Sequence, residues 1–112
     1  MRNTIPTLVL WAAALSLAGA TQLAQAADTL DGMTVYNTKC KTCHGADGSG
    51  VPNISKMFNV NMKPLGGAQV QANSDAVLLA DINTGVGKMK PIKVTSAEAA
   101  DVLAYLRTMN KK

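Results

Sequence analysis

The chain has few of the residues that build metal sites and aromatic binding surfaces. Its 112 residues include two cysteines, one histidine, two tyrosines, one phenylalanine and one tryptophan. The two cysteines and the histidine are too few for a tetrahedral zinc site, because such a site needs about four ligands. The net charge is only +4, and no basic stripe alternates with aromatic residues, so the sequence gives no support for a nucleic-acid partner.

The chain also lacks an apolar run long enough for a comfortable membrane span, which needs about 20 residues. The apolar run at residues 8–20 is short and rich in small residues. It follows the positive charge of Arg2 and precedes Ala24-Gln25-Ala26, an A-x-A motif typical of signal cleavage. We therefore predict a signal peptide at residues 1–26, cleaved after Ala26, a mature domain at residues 27–112, and export to the periplasm. An uncleaved membrane anchor is the alternative.

Both cysteines and the only histidine lie in one pentapeptide, Cys40-Lys41-Thr42-Cys43-His44. This C-x-x-C-H pattern is typical of c-type haem attachment, because two thiols at this spacing can each form a thioether with one vinyl group of a haem. The next residue, His44, then lies under the iron and can bind it through a ring nitrogen. The alternatives are a disulfide and a redox-active thiol pair. A thioredoxin-like pair needs a βαβ unit, and no strand pattern surrounds this motif.

Three segments have the capping residues and apolar spacing of helices: 28–41, 74–83 and 95–110. Asp28 and Ser74 are suitable N-caps, while Thr95 and Glu98 have the spacing of a capping box. Gly32 is unusual inside the first segment, since glycine in a helix costs about 1 kcal/mol relative to alanine. We interpret it as a point where another helix approaches closely, and the alternative is simple tolerance near a helix start.

Two loops rich in glycine and proline separate these segments, at residues 45–67 and 84–94. The first has room for at most one short helical turn, at residues 55–59. So long a loop in so small a domain indicates that it wraps around something, and a haem edge would serve. Within it, the carbonyl of Pro52 could accept a hydrogen bond from the far ring nitrogen of His44 and fix the ring plane. The alternative is an ordinary turn proline.

Met89 is the candidate for the second axial ligand of the iron. A methionine thioether is a soft, neutral donor that raises the reduction potential. The tripeptide Met89-Lys90-Pro91 has an earlier copy, Met62-Lys63-Pro64. We favour Met89 because it lies between two predicted helices and follows glycines that let the backbone approach a haem. The alternatives are Met62 and an iron with no methionine ligand.

With these motifs the chain resembles the small bacterial class I cytochromes c over residues 28–110. The similarity rests on the C-x-x-C-H pentapeptide, on Gly32 and Tyr36 before it, on Val51-Pro52-Asn53-Ile54, on Met89 shortly before a proline, and on Ala104-Tyr105-Leu106. Two features differ. A lysine separates Met89 from Pro91 where many members have Met-Pro, and the only tryptophan lies in the predicted signal peptide.

The resemblance implies an all-α cytochrome c fold, with three main helices and long loops wrapped around one covalent haem c and its iron. Cys40 and Cys43 would carry the haem. The family contact between the proximal histidine and a proline carbonyl would be made by Pro52. The first and last helices would cross at a family contact formed by Gly32, Tyr36, Val102 and Tyr105.

An iron bound on both faces has no open position for a substrate, so we expect a soluble electron carrier rather than an enzyme. Its partners would be redox proteins, such as membrane reductase or oxidase complexes or other periplasmic proteins, and we expect a monomer with no stable membrane anchor. Five lysines would surround the haem edge and steer acidic partners: Lys39, Lys41, Lys88, Lys90 and Lys93. The alternatives are lysines that are merely solvated, an open-site haem protein with gas-binding or peroxidase-like activity, and a C-x-x-C thiol–disulfide protein.

Overall fold

The computed structural model of the protein describes residues 27–110, which contain six helices and no strand. The helices are α1 (Thr29–Lys39), α2 (Lys41–His44), α3 (Pro52–Phe58), α4 (Ala68–Gln71), α5 (Asp75–Thr84) and α6 (Ser96–Thr108). The predicted all-α architecture with three main helices is therefore confirmed. No helix in this part of the chain is long and apolar enough to cross a membrane. The predicted signal peptide and its cleavage point lie outside the described residues.

The three main helices begin at the capping residues that the sequence indicates. The Asp28 carboxylate accepts hydrogen bonds from two backbone N–H groups of α1, and the Ser74 hydroxyl accepts one from α5. At α6 the Thr95 hydroxyl accepts from the Glu98 N–H while the Glu98 carboxylate accepts from the Thr95 N–H, which completes the capping box. These side chains satisfy donors that have no partner within a helix. α1 ends at Lys39, and Cys40 (φ −118°, ψ −37°) is its C-cap.

The predicted loop at residues 45–67 contains a longer helix than the sequence indicates. α3 begins at Pro52, before the predicted turn at residues 55–59, and the unpredicted α4 begins just after the loop. Proline is favourable at the first helical position, because its ring fixes φ and its missing N–H would have had no intrahelical partner. Asn59 ends α3 in the left-handed conformation with φ of 51°, a common way for a helix to stop. The prediction of at most one turn here is therefore wrong.

α1 and α6 cross in direct backbone contact at Gly32. A Cβ atom at this position would collide with the backbone carbonyl of Asp101 in α6, so no larger residue fits without a shift. One turn further along α1, Tyr36 is fully buried, and its ring meets that of Tyr105 edge-on with the centroids 5.3 Å apart. Val102 of α6 belongs to the same buried cluster. The structure thus brings together the four residues predicted at the helix crossing.

α6 also fastens the junction between α4 and α5. The Arg107 guanidinium donates to the carbonyls of Gln71 at 2.9 Å and Asn73 at 2.7 Å, and to the carboxylate of Asp75 at 2.7 Å. The planar fork of arginine is suited to several simultaneous bonds of this kind. Ile82 of α5 packs into the buried cluster at the helix crossing. The last helix therefore holds α1, α4 and α5 in place.

Candidate haem-attachment site

The pentapeptide from Cys40 to His44 forms one tight turn at the end of α1. The N–H of Cys40 donates to the Tyr36 carbonyl at 2.9 Å, which continues the bonding pattern of α1. The Cys40 carbonyl then accepts from the N–H groups of Cys43 at 3.2 Å and His44 at 3.0 Å. Both thiols and the imidazole are therefore carried by one turn of backbone, as attachment at one haem edge requires.

The loop after the histidine folds back and binds this turn. Gly45 has a φ of 80°, a conformation that glycine adopts without strain. The Gly50 N–H then donates to the His44 carbonyl at 2.7 Å, and the Val51 N–H donates to the Cys43 carbonyl at 3.0 Å. The backbone that carries the candidate ligands is thus bonded to α1 at its start and to this loop at its end.

The imidazole of His44 is half-buried. Burial lowers the pKa of His44 below its ordinary value, because a low-dielectric environment disfavours the charged ring, and the neutral ring is the form that binds metals. Its Nδ1 atom is buried, and within residues 27–110 no group forms a hydrogen bond with it. The predicted bond to the Pro52 carbonyl is therefore not formed in this structure. That bond stays a prediction for the haem-loaded protein.

The two thiols are half-buried and are not joined to each other. Burial raises the pKa of Cys40, the neighbouring Cys43 raises it further, and Lys39 opposes both effects. A redox-active C-x-x-C pair instead depends on a thiol with a lowered pKa, because the thiolate is the nucleophile. The direction of the pKa shift at Cys40 is opposite to the one that such a pair needs.

Met89 lies at the end of a two-residue turn after α5. Val86 and Met89 exchange two backbone hydrogen bonds, of 3.0 and 2.9 Å. Gly87 between them has a φ of 56°, as glycine does at the first central position of a type II′ turn. The Ile92 N–H donates to the Ile82 carbonyl at 2.9 Å and returns the chain to α5. These bonds fix the backbone of the half-buried methionine relative to α5.

Met62, the competing candidate, lies beside the loop that follows the histidine. Its Cβ and Sδ atoms are 3.2 and 3.6 Å from the position that a Cβ atom on Gly50 would occupy. Gly50 is the residue whose N–H is bonded to the His44 carbonyl. Met62 therefore packs against the histidine's own loop, whereas Met89 is carried by a separate loop attached to α5.

The five lysines predicted to face redox partners are all exposed. Two of them, Lys39 and Lys41, flank the first cysteine in the chain, and Lys88 and Lys90 flank the methionine of the type II′ turn. Lys93 follows in the same loop. Within residues 27–110 none of the five takes part in an ion pair. Their charges are therefore available to an approaching partner.

Tyr36, predicted only as a contact between helices, is also bonded to this site. Its hydroxyl donates a 2.6 Å hydrogen bond to the carbonyl of Gly45, directly after the histidine. The pKa of Tyr36 is raised to about 12, mainly by burial. The hydroxyl is therefore protonated at neutral pH and can donate a hydrogen bond. The only hint of this bond in the sequence is a tyrosine at a helix contact where the ring of a phenylalanine would pack equally well. It becomes informative only once the position is known to be fully buried.

Comparisons with known proteins agree with this architecture. A sequence model of the family described as cytochrome c matches residues 30–110, and no curated protein sequence matches the chain. Among solved structures, the c-type cytochrome KustC0563 is 30% identical with a TM-score of 0.61, over 72% of this chain and 99% of that chain. A tyrosine-to-phenylalanine variant of Kustc0563 is 29% identical with a TM-score of 0.59, over 70% of this chain and 98% of that chain.

The helical fold, the C-x-x-C-H turn and these similarities define a small c-type cytochrome. The chain belongs to the cytochrome c family. It is therefore a haem electron-transfer protein with covalently bound haem c and its iron, and the predicted fold and cofactor are confirmed. The residues fit that group, because one turn of backbone presents two free thiols and the half-buried imidazole of His44.

Proposed function

We propose that this protein is a periplasmic electron shuttle with one haem c, attached through Cys40 and Cys43 and bound at its iron by His44 and Met89. The observation that carries the proposal is the α2 turn, which presents two free thiols and a half-buried imidazole of lowered pKa. When bound, haem c supplies an iron that changes between the ferrous and ferric states. The protein's part is to hold the group, exclude water from it and orient it toward a partner.

Ligation by two side chains supports electron transfer rather than catalysis. With an imidazole on one face and a thioether on the other, no coordination position is left for a substrate. The same two side chains can stay bound in both oxidation states, so little of the protein has to move when an electron arrives or leaves. This chain would therefore act as a carrier, and any chemistry on substrates would belong to its partners.

The positions of the two methionine loops favour Met89 over Met62 as the second ligand. A second axial ligand has to approach the haem from the face opposite the histidine. Met62 packs against Gly50, in the loop bonded to the His44 backbone, so it belongs to the histidine side. Met89 is carried by the separate turn after α5, which allows it to approach from the other face.

Exposed lysines near both candidate ligands support a docking surface for acidic redox proteins. The members are Lys39, Lys41, Lys88, Lys90 and Lys93. A surface of one charge sign raises the rate at which a partner of the opposite sign associates, and salt screens the effect. The partners would be membrane reductase or oxidase complexes, or other periplasmic redox proteins.

The pattern of residues 1–26 supports the periplasmic location. A positive charge, a short apolar run and an A-x-A motif follow one another there, as they do in secretory signals. Cleavage after Ala26 would release a monomeric haem domain, residues 27–112, without a stable membrane anchor. The mass of the mature protein tests the cleavage point directly, because an uncleaved leader would add its whole mass.

Replacing each methionine in turn tests the iron ligation. The haem-loaded mature protein is purified as the parent, as Met89→Ala and as Met62→Ala, and ferric absorption and magnetic circular dichroism spectra are recorded. We expect Met89→Ala to lose the charge-transfer band of an iron–sulfur bond, to bind carbon monoxide rapidly when reduced, and to have a lower potential, because the thioether favours the ferrous state. Met62→Ala, the matched control, should keep all three parent properties.

Each other outcome points to a different site. Loss of the band in Met62→Ala, with a parent-like spectrum in Met89→Ala, would transfer the ligand role to Met62. Rapid, tight carbon monoxide binding by the unmodified protein would favour an open-site haem protein with gas-binding or peroxidase-like activity. A colourless product, made with the haem-maturation machinery present, would contradict the proposal and support a thiol–disulfide protein.

A further inference from the structure

Tyr36 is hydrogen-bonded to both ends of the haem-attachment turn. At the entry, its backbone carbonyl accepts from the Cys40 N–H at 2.9 Å. At the exit, its hydroxyl donates to the Gly45 carbonyl at 2.6 Å. Both thiols and the histidine lie between these two bonds, so one residue brackets the whole site.

The tyrosine is itself fixed by the crossing of α1 and α6. Its side chain is fully buried, and its ring meets that of Tyr105 at an interplanar angle of 60°. One turn earlier, the Gly32 backbone touches α6. Gly45 is constrained in turn, because its own N–H donates to the Lys41 carbonyl at 2.8 Å. The residue after the histidine is therefore held at both its N–H and its carbonyl.

We propose that the Tyr36 hydroxyl is a positioning group for His44, which acts through Gly45 to set the orientation of the imidazole at the iron and thereby tunes the reduction potential. The proposal rests on the role of His44 as an axial ligand. Helix packing needs only the aromatic ring, because the ring alone fills the space beside α6. Packing does not require the hydroxyl, whereas the short hydrogen bond to the Gly45 carbonyl does.

Loss of this hydroxyl should lower the reduction potential. The hydroxyl hydrogen places a positive partial charge against the Gly45 carbonyl, and its removal leaves the negative end of that dipole uncompensated in a medium of low dielectric constant. The ferric site carries one more positive charge than the ferrous site, so the uncompensated carbonyl favours the ferric state. Hydrogen bonds just outside the ligands are a general means of tuning a metal's potential.

The experiment compares three variants of the haem-loaded mature protein with the parent. Tyr36→Phe removes the hydroxyl that is bonded to Gly45 and keeps the ring. Tyr105→Phe removes the hydroxyl of the other ring in the pair, and Val102→Ala loosens the helix crossing by removing buried methyl groups. The measurements are the potential by equilibrium redox titration, the histidine orientation from paramagnetic shifts of the haem methyl groups, and the thermal midpoint.

We expect Tyr36→Phe to raise the ferric-to-ferrous ratio at the parent's midpoint about threefold. That ratio corresponds to a downward shift of about 28 mV, at 59 mV per tenfold change for a one-electron couple. The haem methyl shifts should change with it. Tyr105→Phe should leave the potential and the shifts as in the parent. Val102→Ala should lower the thermal midpoint and leave the potential unchanged.

Two results would overturn the proposal. A parent-like potential in Tyr36→Phe would show that the hydroxyl is not coupled to the iron, and an equal shift in Val102→Ala would show that the potential reports only general loosening. The parent spectrum separates this failure from that of the proposed function. If the parent lacks a histidine–iron signature, the proposed function and the role of Tyr36 both fail. If the parent has that signature and Tyr36→Phe has the parent's potential, only the role of Tyr36 fails.

Discussion

The fold holds the histidine loop and the methionine loop in different ways. On the histidine side, the attachment turn is bonded to Tyr36 at both ends and to the loop behind it through Gly50 and Val51. On the methionine side, a two-residue turn bonds Met89 to Val86, which is 52% exposed, and Ile92 bonds the following segment to α5. The comparison teaches that the backbone around the histidine is bonded to a fully buried residue of the core, Tyr36, whereas the methionine is carried by a turn with exposed neighbours.

This difference leads to an expectation about mutations. Local stability follows the number of buried contacts and protected hydrogen bonds in a region. A change at the α1–α6 crossing should therefore disturb folding as a whole. A change in the loop around Met89 should alter how the protein meets its partners, with little loss of fold.

Gly32→Ala should have the largest effect, a loss of about 3 kcal/mol in the free energy of unfolding. The new methyl group would meet the backbone of Asp101, which cannot move without opening the core. Gly87→Ala is the matched control in the methionine loop, because nothing lies within 4 Å of its Cβ position and only its φ of 56° is unfavourable, at about 1 kcal/mol. Denaturant unfolding of the two haem-loaded variants measures both losses. Equal losses would contradict the contrast between the two regions.

Reversing the charges of Lys88 and Lys90 to glutamate should slow electron exchange with an acidic partner about tenfold at low ionic strength. Stability should not change, since both side chains are exposed. Stopped-flow rates as a function of salt measure the effect, which should vanish at high salt. The control reverses Lys56 and Lys63 and so changes the net charge equally. If both pairs slow the reaction to the same extent, net charge is responsible and no docking surface surrounds Met89.

The smallest effect is expected at the capping box that starts α6. Hydrogen bonds with the backbone and then the side chain of Thr95 lower the pKa of Glu98, because they favour the ionised carboxylate. Such a group contributes stability above its unfolded pKa and loses that contribution as the pH falls through its folded value. Glu98→Gln still suits the capping box but does not titrate. Its thermal midpoint should therefore fall less steeply with acid than the parent's, and identical pH profiles would refute this assignment.

Signals that act over a few residues allow much of this fold to be predicted. Asp28, Ser74 and Thr95 start the main helices where expected, because an N-cap bonds to N–H groups two or three positions away. Gly32 indicates a close helix approach for an equally simple reason, the steric limit on a Cβ atom. These features need no knowledge of the rest of the chain.

α3 and the Tyr36 hydroxyl show where such prediction ends. Pro52 suits a turn and also the first position of a helix, and local pattern alone does not distinguish the two. The hydroxyl of Tyr36 finds the Gly45 carbonyl only because α1 meets the haem-attachment turn in three dimensions. Gly66 is a similar case, since a Cβ atom there would collide with the backbone of Met109, far along the chain.

The sequence by itself determined the attachment chemistry, the family resemblance and the ends of the main helices, because thioether spacing and helix capping act between close neighbours in the chain. Only the tertiary structure decided which of the two Met-Lys-Pro tripeptides lies beside the histidine loop and what the buried tyrosine hydroxyl binds. Those contacts join segments that are distant in sequence. Their geometry exists only after the helices have packed around a common core.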